Sequence, residues 1–232
     1  NRDIVAGTRF QKLARAAGIN KNSIVVLYGD KNNWFAAWGA WIFNLYGQKD
    51  VRVLDGGRVK WEKDGRPLTT AVPTFKAGNF AAKPADKYLR ANLAKDVLPV
   101  AKKLKTATLI DIRSADEFSG KIFAPAGFQE TAVRAGHIPG AINIPWGLNV
   151  NADGTFKTVA ELKKLYADKG ITGDDQIITY CRIGERSSLT WFVLSEILGF
   201  QKVKNYDGSW TEYGNSVGAP INNPAGTIWG AS

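Results

Sequence analysis

The chain of 232 residues contains one cysteine, Cys181, and its neighbours have types suited to nucleophilic chemistry. It lies in the segment Tyr180-Cys181-Arg182-Ile183-Gly184-Glu185-Arg186-Ser187-Ser188. A single thiol forms no internal disulfide, and one sulfur ligand makes a poor zinc or iron–sulfur site. Alternatively, Cys181 is a small apolar residue of the core, but the arginines at positions 182 and 186 are not expected beside an apolar core position. We therefore interpret Cys181 as a nucleophile and expect no metal and no cofactor.

The residues on both sides of Cys181 predict the elements that position it. Residues 175–180 are typical of a polar entry into a short buried parallel strand. After the cysteine, apolar residues at near-helical spacing predict a helix from Ser188 to Leu198, with Gly199 as its stop. These apolar residues are Leu189, Phe192, Val193, Ile197 and Leu198. The segment between strand and helix is therefore predicted to be a turn.

A turn of this kind directs backbone N–H groups and a helix N-terminus at an anion. Arg182 and Arg186 add two permanent positive charges, so we expect Cys181 to be a thiolate at neutral pH without a histidine base. The chain has one histidine, His137, in a turn rich in glycine and proline. A Cys/His pair of the protease type stays open, although a hydrogen-bonded turn residue is the simpler interpretation.

Three motifs in order resemble the rhodaneses, or thiosulfate sulfurtransferases. The first is Gly136-His137-Ile138-Pro139-Gly140-Ala141, and the second is the six-residue loop that Cys181 opens. The third is Val203-Lys204-Asn205-Tyr206-Asp207-Gly208-Ser209-Trp210-Thr211-Glu212-Tyr213. Related phosphatases have five residues between cysteine and arginine, whereas here Arg186 follows Cys181 after four. The tighter loop suits a sulfur atom carried on Cys181.

The resemblance implies a catalytic Cys181 that carries a persulfide, a small anionic sulfur donor and a thiol or cyanide acceptor. The two loop arginines favour thiosulfate over mercaptopyruvate as the donor. A non-enzymatic module that carries sulfur or binds a partner is the competing interpretation. In some tandem relatives a second substrate-binding arginine lies at a position that Glu117 occupies here. The expected substrate-binding residues are Arg182, Ile183, Gly184, Glu185, Arg186 and Ser187, with Arg134 as a further candidate.

The chain also matches itself at an offset of about 152 residues. Tyr28 falls on Tyr180 and Asp55-Gly56 on Asp207-Gly208, so a domain is duplicated. Gly29 faces Cys181 in this alignment, so the first copy has no thiol and resembles the inactive half of tandem rhodaneses. The partner of the upstream part of the second copy would precede Asn1. We therefore expect the sequence to begin inside a domain, with a retained N-terminal fragment as one candidate partner.

These observations predict an α/β protein of two rhodanese-like domains, each a parallel sheet flanked by helices, the first incomplete. Residues 1–75 are the expected inactive domain, residues 76–87 the linker and residues 88–232 the catalytic domain. In the first domain the longest apolar run, Trp34 to Tyr46, predicts a buried helix that Gly47 ends.

Composition and charge argue against two classes of partner, membranes and nucleic acids. Hydrophobic residues make up 44% of the chain, yet no apolar run approaches the length of a membrane span, so we expect no membrane partner. The net charge is +10, but the basic residues are spread along the chain, so we expect no nucleic-acid partner. This positive field would instead assist the capture of small anions. The expected location is the cytoplasm.

Overall fold

The computed structural model describes residues 3–48, 50–128 and 132–228. The chain divides into two compact units. Unit 1 comprises Asn1–Lys87 and Val150–Phe156, and unit 2 comprises Tyr88–Asn149 and Lys157–Ser232. Each unit has a parallel sheet with helices beside it, so the predicted α/β class is confirmed.

Unit 1 is built on two parallel strands, with Val25 opposite Val51 and Leu27 opposite Val53. Its elements in chain order are α1 (Gly7–Ala16), β1 (Val25–Leu27), a 3₁₀ turn (Lys31–Asn33), α2 (Trp34–Leu45), β2 (Val51–Val53) and α3 (Gly57–Lys63).

The predicted apolar helix of unit 1 is α2, which ends one residue before the expected Tyr46. Seven of its twelve residues are buried, because the helix is apolar on almost every side. Gly47 follows in the left-handed conformation, with φ of 85°, which a glycine adopts without steric cost. No helix within the described ranges combines the length and the apolar character needed to cross a membrane.

Two segments outside the expected first domain belong to unit 1. Within the expected linker, the Gly78 N–H donates to the Arg15 carbonyl at 2.8 Å, and the Phe80 ring packs edge-on against Phe10. Residues 150–156 form a hairpin in which the Phe156 N–H donates to Asp55 Oδ1 at 2.8 Å. These hydrogen bonds explain why both segments group with residues 1–75.

Unit 2 contains a four-stranded parallel sheet in the order β4-β3-β5-β6. Its first elements are a π-helical turn (Leu93–Val97), α4 (Leu98–Ala101), β3 (Thr108–Asp111), α5 (Ala115–Ser119), β4 (Ile142–Asn143) and a 3₁₀ turn (Trp146–Asn149). They are followed by α6 (Val159–Ala167), β5 (Ile177–Tyr180), α7 (Glu185–Phe192), a π-helical turn (Val193–Ile197), β6 (Val203–Asn205) and α8 (Ser209–Tyr213).

The strands of this sheet are all parallel, so their carboxyl ends lie along one edge. Asp111 is opposite Tyr180 and Asn143, and Thr179 is opposite Asn205. In open parallel sheets, ligand sites form outside this edge. All four residues of β5 are buried, as predicted for a strand covered on both faces.

The helix after the cysteine turn begins earlier than its apolar spacing predicted. It starts at Glu185 rather than Ser188, and Gly184 in the left-handed conformation precedes it. The Ser188 hydroxyl donates to the Gly184 carbonyl at 2.8 Å, which ties the first turn of the helix to the loop. The first turn of the helix therefore contains polar residues that form hydrogen bonds to the loop, and a search for apolar residues at helical spacing does not detect it.

Candidate functional site

The cysteine lies directly after β5, at the carboxyl edge of the unit 2 sheet. Cys181 is fully buried, and its Sγ accepts hydrogen bonds from the backbone N–H groups of Gly184, at 3.0 Å, and Ile183, at 3.4 Å. Both donors belong to the loop that leads into α7, so the sulfur faces the N-terminal end of that helix. This arrangement stabilises negative charge on the sulfur.

Gly184 gives the loop its shape. Its φ is 98°, and a Cβ there would lie 2.8 Å from the Asp207 backbone, so only glycine fits without displacement. Its carbonyl accepts from the Ser188 hydroxyl at 2.8 Å and from Asn205 Nδ2 at 3.3 Å. The Ser187 hydroxyl donates to Asn205 Oδ1 at 2.7 Å. The loop is thus held from behind by hydrogen bonds, and Ser187 supports it rather than pointing out of it.

Sequence reasoning assigned no role to Ser209, which supports the cysteine from α8. Its Oγ accepts the Cys181 N–H at 3.1 Å, donates to the Tyr206 carbonyl at 2.6 Å and lies 3.9 Å from the Cys181 sulfur. Its φ of 49° is uncommon for a residue other than glycine. The motif that contains Ser209 was visible in the sequence, but its contact with Cys181 was not.

Arg186, in the first turn of α7, forms a two-pronged ion pair with Glu117 of α5. Its Nη2 lies 3.0 Å from Oε1 and its Nη1 lies 3.2 Å from Oε2. The Glu117 side chain is 0% exposed and that of Arg186 is 12% exposed. The sequence indicated an arginine at the loop but gave no sign that a buried carboxylate compensates it.

The remaining side chains of the loop are partly exposed. The Arg182 guanidinium lies 5.6 Å from the centre of the Phe128 ring, a distance at which a cation is attracted to the ring face. Ile183 and Glu185 are also half-buried. Cys181 itself, in contrast, is fully buried.

The structure corrects the expectation that Arg134 binds an anion. Its guanidinium donates to four backbone carbonyls at 2.5–3.2 Å. These carbonyls belong to Tyr213, Gly214, Ser216 and Ala219. Arginine donates five hydrogens, so this side chain is committed to fixing the segment after α8.

His137 is a hydrogen-bonded turn residue, the simpler of its two interpretations. Its Nδ1 lies 2.7 Å from the Phe118 carbonyl, and its ring stacks on the Phe118 ring with centres 3.6 Å apart. Burial lowers the pKa of His137, against the opposing effect of the Phe118 hydrogen bond. Within the described residues, no cluster of histidine, cysteine and carboxylate side chains is arranged to hold a metal ion.

The corresponding loop of unit 1 is built differently. Asp30, which aligns with Arg182, pairs with Arg58 through two hydrogen bonds of 2.9 Å. The Gly29 N–H, at the position of the cysteine, donates to Asn33 Oδ1 at 3.0 Å. In unit 1, therefore, the backbone N–H group that follows β1 donates to the amide side chain of Asn33 from the same loop.

Residues 4–64 and 94–216 of the chain match the family described as the rhodanese-like domain. This chain belongs to the rhodanese family. The two matched segments confirm the resemblance stated above. They include β1 to α3 of unit 1 and, in unit 2, every element from β3 to α8.

Named relatives of this rhodanese differ in the activity that their names describe. "Putative thiosulfate sulfurtransferase 1" of Mycobacterium bovis is 56% identical over 221 residues, which are 95% of this chain and 78% of the relative. "Sulfur carrier protein TtuD" of Thermus thermophilus is 52% identical over 223 residues, 95% of this chain and 78% of the relative.

A solved structure agrees with the rhodanese fold. It is the crystal structure of SseA from Escherichia coli, described as a 3-mercaptopyruvate sulfotransferase. The TM-score is 0.73 at 29% identity, with 87% of this chain and 72% of that chain covered.

Proposed function

We propose that this rhodanese moves a sulfane sulfur from thiosulfate to a cyanide or thiol acceptor through a persulfide on Cys181. The observation that carries the proposal is the Cys181 sulfur held by the N–H groups of Ile183 and Gly184 at the head of α7. A thiolate in this position is a nucleophile, and the same N–H groups suit a persulfide. The name of the Mycobacterium bovis relative supports thiosulfate as the donor.

The first half-reaction makes one sulfur–sulfur bond and breaks another. The Cys181 thiolate attacks the outer sulfur of thiosulfate, and sulfite leaves with the electron pair of the broken bond. In the second half-reaction the acceptor takes the outer sulfur and returns the thiolate. The chain has no second cysteine, so the acceptor comes from outside and the kinetics are of the ping-pong type.

The domain roles extend the same proposal. Residues 88–232 carry the reaction, and residues 1–75 form an inactive domain. Support comes from the loop of unit 1, which has Gly29 at the position of the thiol and an acidic residue, Asp30, paired with Arg58.

Intact mass measurement tests the proposed chemistry directly. Incubation of the full chain with thiosulfate should add one sulfur atom, and cyanide should remove it and release thiocyanate. A chain that gains no sulfur from thiosulfate would contradict the proposal. The same incubation with 3-mercaptopyruvate tests the donor that the description of SseA suggests.

A sulfur carrier is the second candidate, because one relative at 52% identity is named as such. A carrier takes up sulfur and gives it to a specific protein, whereas an enzyme turns over with a small acceptor. Loading by thiosulfate without repeated release to cyanide would therefore favour the carrier.

Arg182→Gln is expected to raise KM for thiosulfate by about tenfold or more, since a hydrogen bond to a charged group contributes about 1.5–3 kcal/mol. Arg182 directly follows the nucleophile and is half-buried at the loop surface. Initial-rate kinetics over a range of thiosulfate concentrations measures the effect. Lys164→Gln is the matched control, because this lysine is 75% exposed on α6 and the net charge changes equally. An equal rise in both variants would assign the effect to the general field of the protein.

A further inference from the structure

Glu117 is a fully buried acidic residue that lies behind Arg186 of the cysteine loop. Its Oε2 accepts hydrogen bonds from the Ser114 backbone N–H and hydroxyl, both at 3.0 Å, while both of its oxygens face Arg186. Ser114 and Glu117 form a capping box at the start of α5. The hydrogen bonds of this capping box fix the position of the Glu117 carboxylate independently of Arg186. Glu117 is therefore a rigid support for the guanidinium.

Both members of this pair are ionised. Burial raises the pKa of Glu117, but the hydrogen bonds and charge of Arg186 outweigh burial, so the pKa is lowered. Burial lowers the pKa of Arg186, but the hydrogen bonds to Glu117 and the nearby Cys181 and Glu117 side chains outweigh burial, so the pKa is raised. Arg186 lies in the first turn of α7, and the Cys181 sulfur faces the N-terminal end of the same helix, so the guanidinium lies between the Glu117 carboxylate and the surroundings of the sulfur.

We infer that Glu117 is a positioning residue that holds Arg186 beside Cys181 and cancels most of the charge of Arg186. The site therefore selects less strongly for doubly charged donors than a site with two uncompensated arginines would. The positioning follows from the two-pronged geometry, because an arginine fork that meets a carboxylate with both prongs has one orientation. The charge effect follows from burial, since water does not screen a pair that is 0% and 12% exposed.

Other charged groups around the loop do not substitute for Glu117. Asp207 is paired with Arg90 at 2.8 Å, and Asp111 is paired with Arg113 at 2.6 Å. Arg113 also acts on the pair, because its charge favours a lower pKa for both Glu117 and Arg186. Further titratable groups near the loop include Arg182, Glu185, Tyr180, whose pKa is raised by burial, and His137, whose pKa is lowered by burial.

The test uses the sole thiol as its own reporter. The rate of Cys181 alkylation by iodoacetamide is measured against pH in the full chain, and the midpoint of the profile reports how readily the thiolate forms. Glu117→Gln should move this midpoint down by about one pH unit, the size expected when one nearby buried charge is removed. Arg186→Gln should move it up. A Glu117→Gln midpoint that stays in place or rises would overturn the inference.

A double variant keeps the test decisive if Glu117→Gln alone does not fold. Glu117→Gln combined with Arg186→Gln removes both charges, so its midpoint should lie below that of Arg186→Gln and near that of the unmodified chain. Asp116→Asn is the matched control, because Asp116 is 54% exposed on the same helix, and it should leave the profile unchanged. A double variant that matches Arg186→Gln would contradict a charge effect of Glu117.

Donor kinetics test the selectivity, and this part rests on the proposed function. Glu117→Gln should lower KM for thiosulfate, a dianion, several-fold more than KM for 3-mercaptopyruvate, which has one carboxylate. Glu117→Asp keeps the charge but shortens the side chain, so it should lower kcat/KM for both donors while the alkylation midpoint stays near that of the unmodified chain. An unchanged ratio of the two KM values in Glu117→Gln would refute the selectivity. If no donor is turned over, the proposed function fails, and the alkylation profiles still decide the role of Glu117.

Discussion

Cys181→Ser is expected to reduce sulfur transfer by at least about 10⁴-fold, the scale of loss when a catalytic nucleophile is removed. A serine hydroxyl is not ionised at neutral pH and does not form a persulfide with thiosulfate. The measurement is the rate of thiocyanate formation from thiosulfate and cyanide, together with intact mass after incubation with thiosulfate. The variant should gain no sulfur.

Two controls make this result specific to the thiol. Alkylation of the unmodified chain blocks the same atom without a substitution and should abolish transfer equally, because the chain has one cysteine. Thermal unfolding should be nearly unchanged in Cys181→Ser, since serine is similar in size and the Gly184 N–H that contacts the sulfur at 3.0 Å can donate to its hydroxyl. Transfer at the original rate in the serine variant would exclude Cys181 as the nucleophile.

Asp111→Ala is expected to have the largest effect on stability, a loss of about 3–5 kcal/mol in the free energy of unfolding of unit 2. Asp111 accepts hydrogen bonds from the backbone N–H and guanidinium of Arg113, whose side chain is 1% exposed. Burial alone lowers the pKa of Arg113, but the charge and hydrogen bonds of Asp111 outweigh burial and raise it. Without Asp111, a charged guanidinium stays buried with the Gly136 carbonyl and the face of Trp210 as its main partners.

Urea unfolding measures this loss, and hydrogen exchange assigns the transition to unit 2. Asp168→Ala is the matched control, because it breaks an ion pair with Lys164 whose side chains are 58% and 75% exposed. Exposed ion pairs contribute little, so the control should unfold close to the original midpoint. Equal unfolding free energies for the two variants would show that burial of the Asp111–Arg113 pair has no energetic consequence.

Local sequence signals were sufficient for the elements that run directly through the site. The apolar run before Cys181 predicted β5, and the arginines after it indicated a loop, although Cys181 itself is fully buried. The apolar helix of unit 1 began at the predicted Trp34, because a strongly apolar segment followed by glycine has few other structures to adopt. The start of α7 was missed by three residues, since Glu185 and Ser187 lack apolar periodicity.

Arginine side chains bind either anions or backbone carbonyl groups, and Arg134 is an example of the second. In the sequence it is a cation before the His137 turn, which suggested an anion ligand. In the structure its partners are carbonyls 79–85 positions further along the chain. A sequence pattern does not distinguish an arginine that binds backbone oxygens from one that binds substrate, because both need only the charge and the fork.

The sequence by itself determined the α/β class and the family, and it singled out Cys181 and its loop as the candidate site, because these depend on residues that are adjacent along the chain. Only the tertiary structure decided the charge of the site. Arg186 meets Glu117 across 69 positions, at the point where α5 and α7 approach each other. The free energy of that pair depends on distance and burial, and neither quantity exists until the sheet has brought the two helices together.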